Sequence, residues 1–249
     1  MSVASASSES DDYCSLGRDI SWKAKDRLAD KNGFRHNVYW VTGDLYRGYW
    51  SRNKKDGNGI HTYRNGDRYE GHWRNGKRDG QGTLWLAVNG KYQASYRGAW
   101  KNGKWHGKGT LYGENGEIYE GEFENGERCG TGKQTYWCED LDTYEVYIGQ
   151  WSHNKRNGNG ILHMVNGDTY EGSYKDDMKE GKGVLYYKDN CSRYEGLWHA
   201  DVPICGTYIR GDKNGMKALP LLEMKDSSSL AMDIVNECIE HLKKVNSDA

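Results

Sequence analysis

Aromatic residues and glycine recur along this chain in one fixed pattern, with few aliphatic residues between them. The motif Tyr-x-Gly-x-aromatic occurs seven times, beginning at Tyr46 and ending at Trp198. In the first six copies a Gly-x-Gly begins eleven residues after the tyrosine, as at Gly57. Asn-Gly, the strongest short signal for a hairpin turn, lies between many of these motifs, as at Asn75-Gly76. The pattern predicts one β-hairpin for each copy.

The same spacing predicts which side of each strand carries the rings. Because side chains alternate across a strand, the first, third and fifth residues of Tyr-x-Gly-x-Trp share one face. Two rings then flank a glycine, which leaves a gap for another ring. A single hairpin is only marginally stable in water, so the hairpins must stack. We predict an all-β chain that forms a single elongated antiparallel β-sheet solenoid of about seven stacked hairpins.

The repeats also divide the chain into segments. Extra residues at 83–95 and 133–146 predict two extended hairpins on the same edge of the sheet, four strands apart. Apolar residues at helical spacing predict a C-terminal α-helix over residues 229–244, which either caps the sheet or binds a partner. The predicted segments are a disordered Ser-rich tail (1–17), an N-terminal cap and half-repeat (18–45), the repeats (46–206), a connector (207–227) and the C-terminal helix and tail (228–249).

Composition fits this architecture and removes several functional classes. The 249 residues include 33 Gly, 19 Tyr and 10 Trp but only 2 Phe, and the mean hydropathy is −1.01. A net charge of −1 gives no polyelectrolyte character, so we expect no nucleic-acid partner. No run of 18 apolar residues occurs, and the N-terminus does not resemble a signal peptide. We therefore expect a cytoplasmic protein whose six cysteines are reduced.

No pattern typical of catalysis or metal binding occurs in the sequence. A phosphate-binding Gly-x-x-x-x-Gly-Lys-Ser/Thr, a Gly-x-Ser-x-Gly elbow and a His-Glu-x-x-His helix are all missing. The eight histidines do not recur with cysteine at the spacing of metal ligands. The glutamates that follow several of the tyrosines are expected to form a solvated row on the opposite face. We expect a non-enzymatic protein without a metal or cofactor.

The complete repeat resembles a known family. Its consensus, Tyr-x-Gly-x-Trp-x-x-Gly-Lys-x-x-Gly-x-Gly-Thr-Leu, resembles the MORN repeat, and residues 69–84 and 96–111 fit almost without departure. Arg47, Arg97 and Ile148 replace the usual glutamate, and Cys205 occupies a glycine position of the seventh copy. The resemblance implies a scaffold or adaptor in a cilium, a flagellar axoneme or another cytoskeletal or vesicle-associated assembly. The implied assembly is one of ciliated or sperm cells, and an acrosome-associated vesicle is a further location that the resemblance implies.

The ring face is the first candidate binding site. Nothing else in the chain is large enough to cover it, so we expect some rings to form core and the rest an exposed apolar groove, which typically binds a partner. We predict that an extended or helical segment of another protein binds there, while half of the rings could be purely structural. Binding of a small quaternary cation, as in choline-binding repeats, is a weaker alternative because those repeats occur in secreted proteins. The predicted groove comprises Tyr46, Trp50, Tyr69, Trp73, Tyr96, Trp100, Tyr119, Phe123, Tyr147, Trp151, Tyr170, Tyr174, Tyr194 and Trp198.

The hairpin turns form the second candidate. The turns inside the six full repeats carry a net charge of +6, and the connections on the opposite edge carry −4. A basic edge can attract anionic phospholipid, so the alternative function is a peripheral membrane adaptor with weak lipid contact. Opposite edges could also pair two copies as a homodimer, or the charges could form an ordinary solvated rim. The predicted basic edge comprises Lys54, Lys55, Lys77, Arg78, Lys104, Lys155 and Arg156.

Overall fold

The described part of the protein is one antiparallel sheet. A computed structural model describes residue 25 and residues 28–211, and the predicted tail and C-terminal helix lie outside these residues. Fifteen strands follow one another in chain order, each paired with the next, which confirms the predicted fold. The strands are β1 (Gly33–Tyr39), β2 (Leu45–Ser51), β3 (Lys54–Thr62), β4 (Arg68–Arg74), β5 (Lys77–Val88), β6 (Lys91–Lys101), β7 (Lys104–Tyr112), β8 (Ile118–Glu124), β9 (Glu127–Cys138), β10 (Thr143–Ser152), β11 (Lys155–His163), β12 (Thr169–Lys175), β13 (Met178–Tyr187), β14 (Ser192–His199) and β15 (Val202–Ile209).

Tight turns close the hairpins where the sequence predicts them. Between β4 and β5, Asn75 and Gly76 both have positive φ, at 50° and 82°. Their neighbours Arg74 and Lys77 pair directly, as a two-residue hairpin loop requires. Asn65-Gly66 differs, because it lies in a connection where only the glycine has positive φ. There the Asn65 side chain hydrogen-bonds Asp67 instead.

The first glycine of each Gly-x-Gly lies in a bulge. Gly48 pairs with Gly59 but Trp50 pairs with Lys55, so extra residues accumulate on β3 between these two pairs. Gly57 lies in this bulge with a φ of 93°, a conformation that L side chains rarely adopt. Positive φ recurs at the equivalent Gly80, Gly107, Gly130, Gly158 and Gly181. The repeat therefore needs glycine here for backbone conformation.

The second glycine is needed for space. Together with the glycine of each Tyr-x-Gly it forms a row of fourteen glycines, from Gly48 on β2 to Gly206 on β15, that face one another strand by strand. The tyrosine of each repeat lies over this row. A Cβ added to Gly59, for example, would lie 2.1 Å from the hydroxyl oxygen of Tyr46. The glycine gap predicted for a neighbouring repeat's ring thus holds the repeat's own tyrosine.

Two hairpins project beyond the others on one edge, as predicted from the longer repeats. The first is formed by the 12 residues of β5 and the 11 residues of β6. The second is formed by the 12 residues of β9 and the 10 residues of β10, with a short 3-10 turn at Glu139–Leu141 between them. We call these the first and second long hairpins.

Candidate functional site

The rings predicted to form a groove lie in the core. Thirteen of the fourteen have exposed fractions of 0 to 6%, and Tyr194 is partly buried. The tyrosine of each of the first six repeats meets the aromatic residue of its own repeat and that of the next at right angles, as Tyr69 does with Trp73 at 5.1 Å and Trp100 at 5.3 Å. The expected exposed groove is therefore not found among these rings. Their contact with a partner stays a prediction, whereas their packing role is visible.

Lysine and arginine side chains stack over the rings of the core. The Arg78 guanidinium lies 4.2 Å from the Trp100 ring and 5.7 Å from that of Tyr69. Lys55, Arg128, Arg156 and Lys179 occupy the same position in other repeats. In the third repeat Trp105 replaces the cation and stacks on Tyr96 at 5.0 Å. Sequence reasoning missed this layer, although the residue nine positions after each of these tyrosines is the signal that could have found it.

Hydrogen bonds satisfy most polar atoms of the rings. The hydroxyl of Tyr119 donates to the carbonyl of Glu122 at 3.1 Å, and five other tyrosines make the equivalent bond. The indole of Trp151 donates to the Gly132 carbonyl of the preceding repeat at 3.3 Å, a bond repeated by three other tryptophans. Burial raises the pKa of Tyr96 to about 12. This face has the chemistry of a hydrogen-bonded core.

Two polar residues interrupt that core. In each repeat one residue of the second strand pairs with the tyrosine of the first strand. This residue is leucine in other repeats, such as Leu84 opposite Tyr69, but it is His61 in the first repeat and Gln134 in the fourth. The Gln134 amide oxygen accepts a bond of 2.9 Å from Arg128. His61 Nδ1 lies 3.2 Å from the Lys55 ammonium, but its Nε2 is buried without a partner. Burial lowers the pKa of His61 to about 4 and that of Lys55 to about 8, so the histidine is neutral at pH 7 and accepts from the lysine.

The predicted basic edge is divided by the fold. Lys54, Lys77, Lys104 and Lys155 are exposed at the turns, whereas Lys55, Arg78 and Arg156 turn back against the rings and are partly buried. Acidic residues of the following turns also reach this edge. Asp176 pairs with Lys155 at 3.2 Å and Asp177 with Arg156 at 3.4 Å. Lipid binding by this edge stays a prediction, now resting on fewer charges.

An open groove lies on the opposite, polar face. It has a volume of about 680 Å³ and crosses β5 to β10, with the backbone of the glycine row as its floor. From the sequence this face was expected to carry only solvated residues. The alternation of side chains along a strand shows that the face is polar, but it does not show that the face contains a groove. The side chains that line the groove are Gln81, Arg97, Lys108, Thr110, Glu120, Glu122, Thr131 and Ile148.

The two long hairpins are formed by the first two and the last two strands that the groove crosses, and each carries two aromatic residues. Cross-strand register places Trp85 and Tyr92 of the first, and Trp137 and Tyr144 of the second, on the polar face. The Trp137 and Tyr144 rings lie 4.6 Å apart, and the Arg68 guanidinium lies 5.8 Å from the Tyr92 ring. Tyr92 and Tyr144 are 50% and 51% exposed. The two long hairpins thus add exposed aromatic surface to the polar face.

Within residue 25 and residues 28–211, no group of three or more His, Cys, Asp or Glu side chains could hold a metal ion. No helix in the described part of the chain is long and apolar enough to cross a membrane. The four cysteines that the structure describes, Cys129, Cys138, Cys191 and Cys205, are free thiols.

Comparison with known proteins identifies the repeat. The MORN repeat model matches residues 46–68, 69–92, 96–118, 119–136, 147–169 and 170–192, which together exceed half of the chain. A segment of 38 residues is 55% identical to mouse (Mus musculus) MORN repeat-containing protein 3, covering 15% of this chain and 16% of that protein. A segment of 46 residues is 46% identical to the human (Homo sapiens) protein of the same name, covering 18% and 19%. The aligned segments thus span less than a fifth of each relative. Six consecutive matches on hairpins of one construction show that this chain belongs to the MORN-repeat family.

Proposed function

We propose that this protein is a non-enzymatic scaffold that holds a segment of another protein in the groove of its polar face. One observation carries the proposal: the ring face is closed by its own side chains, whereas the polar face has an open groove of about 680 Å³. Membership of a repeat family supports a binding role, because stacked repeats typically present extended binding surfaces.

The chemistry of the groove supports binding over catalysis. The groove is lined by positively and negatively charged side chains, two threonine hydroxyls, one glutamine amide and one aliphatic side chain. Groups of these kinds recognise a polypeptide. The lining includes no histidine, cysteine or serine, the usual general base and nucleophiles. The family resemblance supports a location in a cilium, a flagellar axoneme or another cytoskeletal or vesicle-associated assembly, and this part of the proposal rests on the resemblance alone.

Adjacent residues of β7 allow a direct test. Thr110 faces the groove and Leu111, the next residue, packs against the ring core. We would introduce a photo-crosslinking phenylalanine analogue at either position and expose both proteins to extract of ciliated cells. We expect discrete cross-linked proteins from position 110 and none from position 111, with both variants still folded by circular dichroism. Cross-links from position 111 alone would place the partner on the ring face and contradict the proposal.

The exposed lysines favour one second candidate, contact with anionic lipid. Lys54, Lys77 and Lys104 lie at turns of successive hairpins, roughly 10 Å apart at two strand spacings. The experiment is co-sedimentation with vesicles that contain phosphatidylserine, comparing wild type with K54E/K77E/K104E. If the edge binds lipid, wild type sediments, salt weakens the binding and the triple variant loses it. Equal sedimentation with neutral vesicles would dismiss this candidate.

A further inference from the structure

We infer that the groove holds an extended polypeptide segment that is acidic at one end and basic at the other. This inference rests on the proposed function and specifies its partner. It follows from three features of the polar face: the width of the groove, the order of its charges and the aromatic residues of the two long hairpins.

The width favours an extended chain. The groove runs across the strands between two rows of side chains that are two residues apart along each strand, as Thr110 and Lys108 are. Two residues of a strand span about 7 Å, whereas a helix with its side chains is about 10–12 Å across. A helix would therefore rest on top of both rows, whereas an extended chain is narrower and can approach the glycine floor more closely. From β5 to β10 the groove spans about 24 Å, which about seven extended residues would fill.

The charges along the groove are ordered. Arg97 on β6 and Lys108 on β7 make the first half basic, and Glu120 and Glu122 on β8 make the next part acidic. No ion pair joins any two of these four residues in the described structure, although Lys108 lies directly opposite Glu122. Lys133, opposite Glu120, does not line the groove. Charges that the fold leaves unpaired can select a segment of complementary order.

The long hairpins extend the same order beyond the groove. Near the first long hairpin, Lys91 is exposed at the turn next to Tyr92, and the Arg68 guanidinium over the Tyr92 ring is already paired with Glu70. Near the second, Asp140 and Asp142 are exposed beside the aromatic pair. Rings next to carboxylates suit a lysine or arginine, through cation–π contact and charge together. Rings next to cations suit an acidic residue. The two pairs lie about 19 Å apart, at four strand spacings, within reach of the two ends of one segment.

Selection from a displayed library of random peptides tests this inference. Peptides about twelve residues long exceed the length that crosses the groove. Four immobilised proteins would be compared: wild type, R97E/K108E, E120K/E122K and the charge-swapped quadruple variant, which keeps the net charge. K54E/K77E, which changes exposed turn lysines by the same amount, is the matched control. We expect wild type to enrich peptides with acidic residues at one end and basic residues at the other.

The variants then separate the outcomes. Each groove double variant should retain the selected peptides roughly tenfold less than wild type, about 1.4 kcal/mol, and the control should retain them fully. The charge-swapped variant should enrich the reverse order, and a central proline should leave binding of an extended peptide intact. Enrichment without ordered charge, or binding that a central proline abolishes, would overturn this inference while the scaffold proposal stands. No enrichment, or equal retention by wild type and all groove variants, would overturn both.

Discussion

The two faces of this sheet are built from alternate residues of the same strands, yet they differ in almost every property. On one face Tyr119 and Phe123 of β8 pack with neighbouring repeats and are hidden from solvent. On the other, Glu120 and Glu122 of the same strand line an open groove. The comparison teaches that a single-layer sheet can form its own core on one side. The second side is then left to vary in charge and shape without loss of the fold.

A tryptophan on one face and a tyrosine on the other should respond most differently to truncation. Trp151 is buried, lies under Arg128 and donates to Gly132, so Trp151→Ala should cost about 3–5 kcal/mol of unfolding free energy. Tyr144→Ala on the polar face should cost less than about 1 kcal/mol. Urea unfolding followed by circular dichroism measures both. Similar losses would mean that the second long hairpin is as much part of the core as the rings.

Adding one methyl group to the glycine row should have the next largest effect. In Gly109→Ala the new Cβ would lie 2.3 Å from the Tyr96 hydroxyl and 2.6 Å from Cζ of its ring, so the ring must move, at a cost of about 3 kcal/mol. Gly113→Ala is the control, because its nearest neighbour is Glu117 Cβ at 3.1 Å in an exposed connection. We expect the control to stay within about 1 kcal/mol of wild type. Equal urea midpoints for the two variants would show that the glycine row does not seat the rings.

The polar interruption of the core should make stability depend on pH. The pKa of His61 is lowered from 6.5 to about 4, so between these values the unfolded chain binds a proton that the folded chain does not. The contribution of neutral His61 to the unfolding free energy is therefore fully present above pH 6.5 and is lost as the pH falls toward 4. Between pH 7 and pH 5 wild type should lose about 2 kcal/mol more than His61→Leu, which restores the leucine of other repeats. The measurement is urea unfolding at both pH values, and parallel losses in the two proteins would contradict the assignment.

Removing single hydroxyl groups should give the smallest difference between the faces. The Tyr119 hydroxyl donates to the Glu122 carbonyl inside the core, so Tyr119→Phe should cost about 1 kcal/mol. Tyr92→Phe removes the hydroxyl of a half-exposed residue on the polar face and should cost less than about 0.5 kcal/mol. Thermal unfolding monitored by circular dichroism can resolve the two. A larger loss from Tyr92→Phe would reverse the roles given to the faces.

The repeat made most of the fold predictable. The hairpins, the Asn-Gly turns such as Asn75-Gly76, the two long hairpins and the side of the strands that carries the rings follow from spacing and alternation, and the structure has them all. The family is also recognisable from the repeat. These features depend on local backbone geometry, and each repeat of the sequence indicates the same geometry again.

The candidate site was less predictable, because it depends on contacts between repeats. Alternation places Lys55 on the ring face together with Gly57, but position within a turn suggested a solvated charge. Whether its ammonium lies over the rings depends on how closely the next repeat packs, which the pattern does not specify. The depth of the groove depends in the same way on how the whole sheet bends. The rings predicted to bind a partner are part of the core, and the groove lies on the opposite face of the sheet.

Hydroxyl-radical footprinting of the native protein, read out by mass spectrometry, tests the difference between the faces most directly. If the ring face is closed and the polar face open, Tyr92 and Tyr144 are oxidised in the folded protein while Trp73, Trp100 and Trp151 are protected. In the urea-unfolded chain all five should react. Oxidation of those tryptophans at the same rate in the folded and the unfolded protein would show that the ring face is open, and would contradict the account of both faces.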